Sequence, residues 1–397
     1  MGSGMPEVLL IAYDFPPSAG VGAGLRSANF ARHLPEFGWQ PTVVALDQGQ
    51  VASDKVVRLP SMTPWHRPYE MTPYGWAFGL GRHLRGRAGH RYDLVYVSCP
   101  PYPQALSAMS YAASHSLPLV VDFRDAWALD PYQEGSRLKR VLYRYLFPSL
   151  ERRLLANTDL LILNTPSALA AYQAHYPAVA DRMLYLPNGY DEAAFRDVDA
   201  DRIGDSDVLT LLYAGRFGIG ARSPSNLIAG LRIAQSRGCR VRLDILGNQG
   251  AAIRAEITAE GMGDLVRLLG EVDYTQAVRN MASADVLVLI QAPSSSTVQA
   301  VAGKTFDYIR SGRPILVVAP AGDNLDLIRA HAGRYEHAED TPEAIAAGIV
   351  SLYKAWNCGK LDGSQSPDPG FTSRFERRAL TAALAGQFDR LTGRERD

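Results

Sequence analysis

The stretch Val8-Leu9-Leu10-Ile11-Ala12-Tyr13-Asp14-Phe15-Pro16-Pro17-Ser18-Ala19-Gly20-Val21-Gly22-Ala23-Gly24-Leu25-Arg26 carries the first decision about the fold. A short apolar run, Val8–Ala12, ends in a proline and glycine turn and reads as a buried strand. Leu25–Phe37 follows with helical periodicity. Strand, turn and helix in that order open a parallel α/β unit. Gly20, Gly22 and Gly24 alternate just before the helix. Glycine lets backbone pass close to a ligand, and a helix start offers free N–H groups to an anion. The loop reads either as a pyrophosphate or acceptor loop, or as a plain strand-to-helix turn. Its spacing is not the dinucleotide fingerprint.

Outward from this unit the alternation continues. Thr42–Leu46, Leu94–Val97, Leu119–Val121, Leu160–Leu163 and Met183–Leu186 read as further buried strands, with helical segments such as Arg137–Ala156 between them. The pattern then restarts. Leu209–Tyr213, Arg242–Leu246, Val266–Leu268, Val286–Ile290 and Ile315–Val318 form a second strand set, with helices at Leu227–Ser236, Ile253–Glu260 and Ala277–Ser283. The expected architecture is α/β, with two Rossmann-like parallel-sheet domains facing across a cleft at their strand C-terminal ends. The first domain spans residues 1–190. Residues 191–207, acidic and without a sustained apolar run, read as a linker. The second domain spans 208–370. Residues 371–397 hold a terminal helix, Phe371–Leu391, free to pack back on the first domain.

Length and composition agree with two domains. The chain has 397 residues, and 41 basic residues balance 41 acidic ones, so global charge predicts no nucleic-acid partner. Cys99, Cys239 and Cys358 share no metal-ligand spacing and read as reduced thiols in a cytoplasmic protein. No apolar run has the length of a membrane span. Met1-Gly2-Ser3-Gly4-Met5 reads as an expression scar and is set aside.

Candidate chemistry gathers at strand ends. Asp122-Phe123-Arg124-Asp125-Ala126-Trp127 follows a buried strand directly, and its charges either touch a ligand or staple the loop as an ion pair. Gly215-Arg216 ends the first strand of the second half, and Arg222 follows in the same loop. An arginine fork suits a diphosphate. Gly247 and Gly270 end the next strands and suit the wall of a nucleotide site. Ser294–Pro314 leads through a polar loop into a helix starting near Gly303. That start supplies N–H groups, and Lys304 adds a charge. Asp307 lies one turn on, placed either for a ribose diol or for solvent.

These residues together resemble the family-4-like glycosyltransferases of GT-B fold. The resemblance rests on Phe15-Pro16-Pro17 with the glycine loop, Pro100-Pro101, Arg124-Asp125-x-Trp127 and Pro187-Asn188-Gly189-x-Asp191. It rests also on Gly215-Arg216 and on Lys304-x-x-Asp307-Tyr308 with Gly312-x-Pro314. It implies transfer with retention, without a metal and without a cofactor beyond the nucleotide-sugar donor. The family's paired donor glutamates fall on Gln299 and Asp307, so this chain carries a shorter ribose arm and an uncharged sugar contact. Strand-end position and resemblance together give the candidate donor set as Gly20, Gly22, Gly24, Arg222, Gly247, Gln299, Gly303, Thr305 and Asp307. Catalytic roles fall on Arg216, Lys304 and Asp125. The phosphate lysine expected after Arg216 has no counterpart at its usual place, with Arg222 one residue beyond.

The expected reaction moves a sugar from a nucleotide-sugar to a sugar, lipid-linked or small-molecule acceptor, in surface polysaccharide or glycoconjugate synthesis. A nucleotide-sugar 2-epimerase of the same fold and a non-catalytic nucleotide-sugar binder are the competing readings. Trp76–Arg87 and Arg137–Phe147 mix aromatics with arginines. They read either as solvated basic faces beside core residues or as peripheral contacts with the inner face of the membrane.

Overall fold

The computed structural model describes residues 4–17, 24–49, 55–62, 72–86, 92–129, 141–196, 198, 207–217, 223–259, 265–292, 299–361 and 369–394. They fold into two compact units. The chain passes from the first to the second between Asn188 and Gly189 and returns between Glu376 and Arg377, with Gln299 and Ala300 belonging to the first unit.

The first unit is built on β1 (Glu7–Ala12), β2 (Gln40–Leu46), β3 (Val56–Leu59), β4 (Leu94–Cys99), β5 (Leu119–Phe123), β6 (Leu160–Leu163) and β7 (Met183–Tyr185). Their spatial order among the described residues is β3-β2-β1-β4-β5-β6-β7. Every pair is parallel. A parallel sheet covered on both faces needs unbroken apolar strands, and β4, β5 and β6 are buried at every residue. The order reverses between β1 and β4, and in open sheets of this kind such a switch point is where ligand crevices form, at the strand C-terminal ends.

The second unit repeats the plan with β8 (Leu209–Ala214), β9 (Val241–Leu246), β10 (Val266–Gly270), β11 (Val286–Ile290), β12 (Ile315–Val318) and β13 (Tyr335–Ala338), ordered β10-β9-β8-β11-β12-β13. Here the reversal falls between β8 and β11. Their register covers only Leu211↔Val286 and Leu212↔Leu287. Beyond it the Tyr308 hydroxyl enters, accepting the Ala214 N–H at 3.0 Å and donating to the Val288 carbonyl at 3.3 Å. A side chain thus satisfies backbone where the two strands part.

Two sequence expectations change. Asp191 to Phe195 is structure of the second unit rather than linker. The Asp191 carboxylate caps a short turn by accepting the Ala193 N–H at 3.0 Å. Glu192 takes both Arg310 donors at 2.6 and 2.5 Å, and Phe195 is buried with the Arg310 guanidinium 5.0 Å from its ring. The expected helix Phe371–Leu391 is two helices, Pro369–Phe375 and Arg377–Leu391. Phe371 and Phe375 pack into the second unit's core, whereas Leu380, Leu384 and Phe388 pack into the first unit's. One straight rod is replaced by two because the apolar stripe serves two cores. The join is fixed where the Tyr190 N–H bonds the Phe375 carbonyl at 3.0 Å. Trp39 Nε1–H donates to Asp389 at 2.8 Å and anchors the last helix. Trp76 lies on the core side of its basic stretch. In the helix Thr72–Gly86 it is buried, donating to Gln104 at 2.8 Å, while Tyr74, Phe78, Arg82 and Arg85 are exposed.

Within the first unit one buried ion pair joins three distant segments. Arg26, second residue of the helix Leu25–His33, donates to Asp122 of β5 at 2.6 and 3.2 Å. Its remaining donors reach the carbonyls of Leu186 at 2.8 Å and Pro187 at 2.5 Å. Tyr96 of β4 donates to the same carboxylate. A second buried carboxylate, Glu151, accepts the Ala128 N–H at 2.7 Å, Tyr172 at 3.0 Å and Tyr176 at 2.7 Å. Tyr172 in turn accepts the Trp127 N–H at 3.0 Å, so this cluster fixes the loop after β5. Burial pushes the Glu151 carboxyl above its ordinary value, and its hydrogen bonds pull the other way.

Arg26→Met should cost about 3–5 kcal/mol in a urea titration, because it strands the Asp122 charge in the core. A loss under about 1 kcal/mol would remove the pair from the structure's support. For Glu151 the sign follows from the raised folded value. Its burden is absent below the ordinary 4.5 and grows as pH rises through the folded value. The stability of wild type relative to Glu151→Gln should therefore fall as pH rises above the ordinary 4.5. A relative stability that climbs over that range contradicts the assignment.

Candidate functional site

The second unit's crevice is built from glycine backbone and a helix start. Gly215, just past β8, has φ 154°, and Gly247, just past β9, has φ 124°. A Cβ on Gly247 would sit 2.8 Å from the Gly215 carbonyl oxygen. The two loops pack backbone to backbone, and only glycine permits it at Gly247. Gln249, 3% exposed, locks them: its amide donates to the Gly215 and Gly247 carbonyls at 2.7 and 3.1 Å and accepts the Phe217 N–H at 3.0 Å.

Lys304 is the second residue of the helix Gly303–Ser311. Its ammonium lies 3.9 Å from the centre of the Tyr213 ring, which stacks on Phe217 at 4.2 Å. The face of an aromatic ring holds a cation without neutralising it. A Cβ at Gly215 would approach the ammonium to 3.2 Å, so Gly215 also leaves room for the charge. Gly303 is exposed at the helix start, and the preceding Ala302 has no side chain to cap it. Asp307, one turn on, is 5% exposed and accepts a hydrogen bond from Tyr274 at 2.6 Å. Cation, helix N-terminus and carboxylate thus share one end of this sheet.

Other expected site residues fare differently. Arg216 is exposed beside Gly215. Thr305 is a correction. It is fully buried, donates its hydroxyl to Asn324 at 2.7 Å and its N–H to Ala302 at 2.9 Å, and so braces the helix instead of meeting a donor. Asn324 continues the brace to Gln291 at 2.6 Å. Gln299 is half-buried, and its N–H donates to Ser167 at 2.8 Å within the first unit. Gly20, Gly22 and Arg222 lie outside the described residues.

In the first unit the loop after β5 divides its charges. Asp122 is consumed by Arg26 and Tyr96. Arg124 turns back on the Pro-Pro turn, donating to Pro100 at 2.9 Å and, through its N–H, to Cys99 at 2.9 Å. Asp125 is exposed. Tyr102 donates to the Asp125 and Ala126 carbonyls at 2.8 Å each and stacks on Trp127 at 5.1 Å. Gly24, at φ 78°, brings its loop onto the backbone of Asp14. Asp14 itself is half-buried at the end of β1. The sequence reading passed over Asp14, Gln249 and Tyr274. Asp14 alone had a signal, its place after the first strand; the other two act through folded geometry.

Among the described residues no group of histidine, cysteine and carboxylate side chains could hold a metal ion, and no helix is long and apolar enough to cross a membrane. Residues 21–189 match the glycosyl transferase 4-like domain. No curated protein matches the chain in sequence. Among solved structures, sucrose-phosphate synthase from Thermosynechococcus elongatus is similar with a TM-score of 0.69 at 16% identity, over 98% of this chain and 99% of that one. HepE from Anabaena, solved with UDP and glucose, is similar with a TM-score of 0.66 at 15% identity, over 97% and 100%. A Listeria monocytogenes protein assigned as a UDP-N-acetylglucosamine 2-epimerase is similar with a TM-score of 0.64 at 14% identity, over 99% and 98%. The chain has the GT-B fold of two Rossmann-like parallel-sheet domains, and its residues 21–189 carry the glycosyl transferase 4-like match.

Proposed function

We propose that this protein is a glycosyltransferase that moves a sugar from a nucleoside diphosphate sugar to an acceptor hydroxyl. The observation that carries the reading is the Lys304 ammonium held on the Tyr213 face at the start of the helix Gly303–Ser311, beside the glycine loops. Such an end suits a diphosphate: backbone N–H groups and a lysine meet its oxygens, and the close glycine backbones let it approach. The glycosyl transferase 4-like match supports transfer to an acceptor as the reaction class. The neighbour solved with UDP and glucose supports a nucleotide and a sugar as its ligand types.

In this reading Lys304, Arg216 and the helix N-terminus stabilise the charge that grows on the departing diphosphate. Asp307, oriented by Tyr274, accepts from a ribose hydroxyl. The acceptor oxygen bonds to the anomeric carbon as that carbon's bond to the diphosphate oxygen breaks. The hydroxyl proton passes to the departing oxygen. Transfer proceeds with retention and without a metal, in the synthesis of surface polysaccharide or another glycoconjugate. Tyr74 and Phe78 with Arg82 and Arg85, exposed on the helix Thr72–Gly86, support a lipid-linked acceptor met at an anionic membrane surface.

The test is nucleoside diphosphate release from a panel of UDP-, GDP-, ADP- and dTDP-sugars, with and without sugar acceptors. Release that depends on acceptor is expected. A change at the donor's C2 without acceptor would instead make the protein an epimerase. Lys304→Ala and Arg216→Ala should each lose about a hundredfold in turnover while staying folded. Near-normal rates in both would empty the proposed diphosphate site. Asp307→Ala should weaken nucleoside diphosphate binding in calorimetry by about tenfold or more. Unchanged affinity would remove Asp307 from the ribose. Activity should survive excess chelator, and proton NMR of the product should show the donor's anomeric configuration. Strict metal dependence or an inverted linkage would contradict the mechanism.

A further inference from the structure

Tyr213 is the last residue but one of β8, fully buried and in register with Ile245 of β9. Its ring stacks on Phe217, centroids 4.2 Å apart and planes 18° from parallel. Its hydroxyl donates to the Arg216 carbonyl at 3.4 Å. Phe217 is buried in turn, and its own N–H is held by Gln249 at 3.0 Å. Strand pairing, the ring stack and the Gln249 amide together give the Tyr213 ring a fixed place at the end of β8.

Lys304 reaches this ring from the helix Gly303–Ser311, far along the chain. Its ammonium lies over the Tyr213 ring, 3.9 Å from the centroid, and 5.9 Å from the ring centre of Tyr308, one turn further along its own helix. Tyr308 is fixed too, because its hydroxyl accepts the Ala214 N–H at 3.0 Å. Gly215 keeps the place open, since a Cβ there would stand 3.2 Å from the ammonium nitrogen and 3.2 Å from the Tyr213 hydroxyl. A lysine stem is flexible, and its freedom is lost when a ligand captures the ammonium. A ring that holds the ammonium beforehand removes that cost and leaves the charge in place for an anion.

We propose that Tyr213 is a positioning residue for the donor diphosphate: its ring, backed by Phe217, sets the Lys304 ammonium beside the glycine loops before the nucleotide arrives. The inference rests on the glycosyltransferase reading and adds to it the residue that aims its lysine. Tyr213 acts through Lys304 and touches no substrate. The role belongs to the face of the ring, whose quadrupole attracts the cation, and not to the hydroxyl. Phenylalanine keeps that face. Leucine and methionine fill core space and offer no such face.

The experiment uses the full chain and two readouts. The chain has five lysines, so lysine labelled with carbon-13 at the ε position gives a spectrum simple enough to assign Lys304 as the signal that Lys304→Ala removes. A methylene held over a ring face is shifted upfield by the ring current. The Lys304 signal of wild type should stand upfield of the other lysines, keep that place in Tyr213→Phe and lose it in Tyr213→Leu and Tyr213→Met; circular dichroism checks the fold of each variant. Calorimetry with UDP, GDP, ADP and dTDP is the second readout. Tyr213→Leu should weaken the nucleotide that binds by about tenfold, and Tyr213→Phe should recover most of that loss. In a Lys304→Ala background Tyr213→Leu should cost less than about twofold more, because the ring then has no ammonium to hold. An unshifted Lys304 signal in wild type would overturn the proposal, and so would a Tyr213→Leu loss as large without Lys304 as with it. Both leave the donor reading standing where Lys304→Ala itself weakens the nucleotide. A shifted Lys304 whose removal leaves the affinity for all four nucleotides unchanged would count against the donor reading and overturn the proposal with it.

Discussion

The guanidinium of Arg26 reaches the Asp122 carboxylate and the carbonyls of Leu186 and Pro187, and the first unit's working geometry depends on those bonds. Arg26 stands on the helix that follows the glycine loop. Asp122 ends β5, just before Arg124 and Asp125. Leu186 and Pro187 are the last steps before the chain leaves the unit at Asn188. Segments separated by up to 161 residues are thus one object. A hydrophobic cluster of equal volume could fill the same space at no loss of stability. It could not hold two backbone carbonyls and a carboxylate in fixed directions. The ion pair therefore serves geometry first and stability second.

The second unit solves its matching problem with neutral groups. Two strands must part to open a crevice, and buried backbone must still be satisfied. The Tyr308 hydroxyl does this between β8 and β11, and its burial keeps the phenol protonated by raising its value well above the ordinary range. Gln249 does the same between the glycine loops. The backbone is thus satisfied by uncharged side chains, and the Lys304 ammonium rests on the face of the Tyr213 ring. The Thr305–Asn324–Gln291 chain keeps the helix start in place beneath it.

Much of this was legible in the sequence, and the remainder was hidden for physical reasons. Strands buried on both faces, such as Leu119–Phe123 and Val286–Ile290, are continuous apolar runs and are read directly. Val56–Leu59 and Tyr335–Ala338 are short edge strands, partly buried, and carry no such run. The break at Glu376 left no trace, because one helical stripe continues across it while the packing partner changes. At the site, the glycines and Lys304 could be read from their places at strand ends and at a helix start. Charge density in a loop is visible in sequence, and it draws the reading to Asp125. Burial is not, and burial separates Asp14, Asp122 and Asp125. Thr305 was misread because position in a helix's first turn does not reveal which way a side chain turns.

The central claim is that the second unit's glycine loops and the helix Gly303–Ser311 hold a nucleoside diphosphate. Amide hydrogen exchange with and without each of UDP, GDP, ADP and dTDP tests it most directly. The account predicts that one of these slows exchange at Tyr213–Phe217, Gly247–Gln249 and Gly303–Asp307 together. Saturating nucleotide that leaves all three segments unchanged, or protects only segments of the first unit, would contradict it.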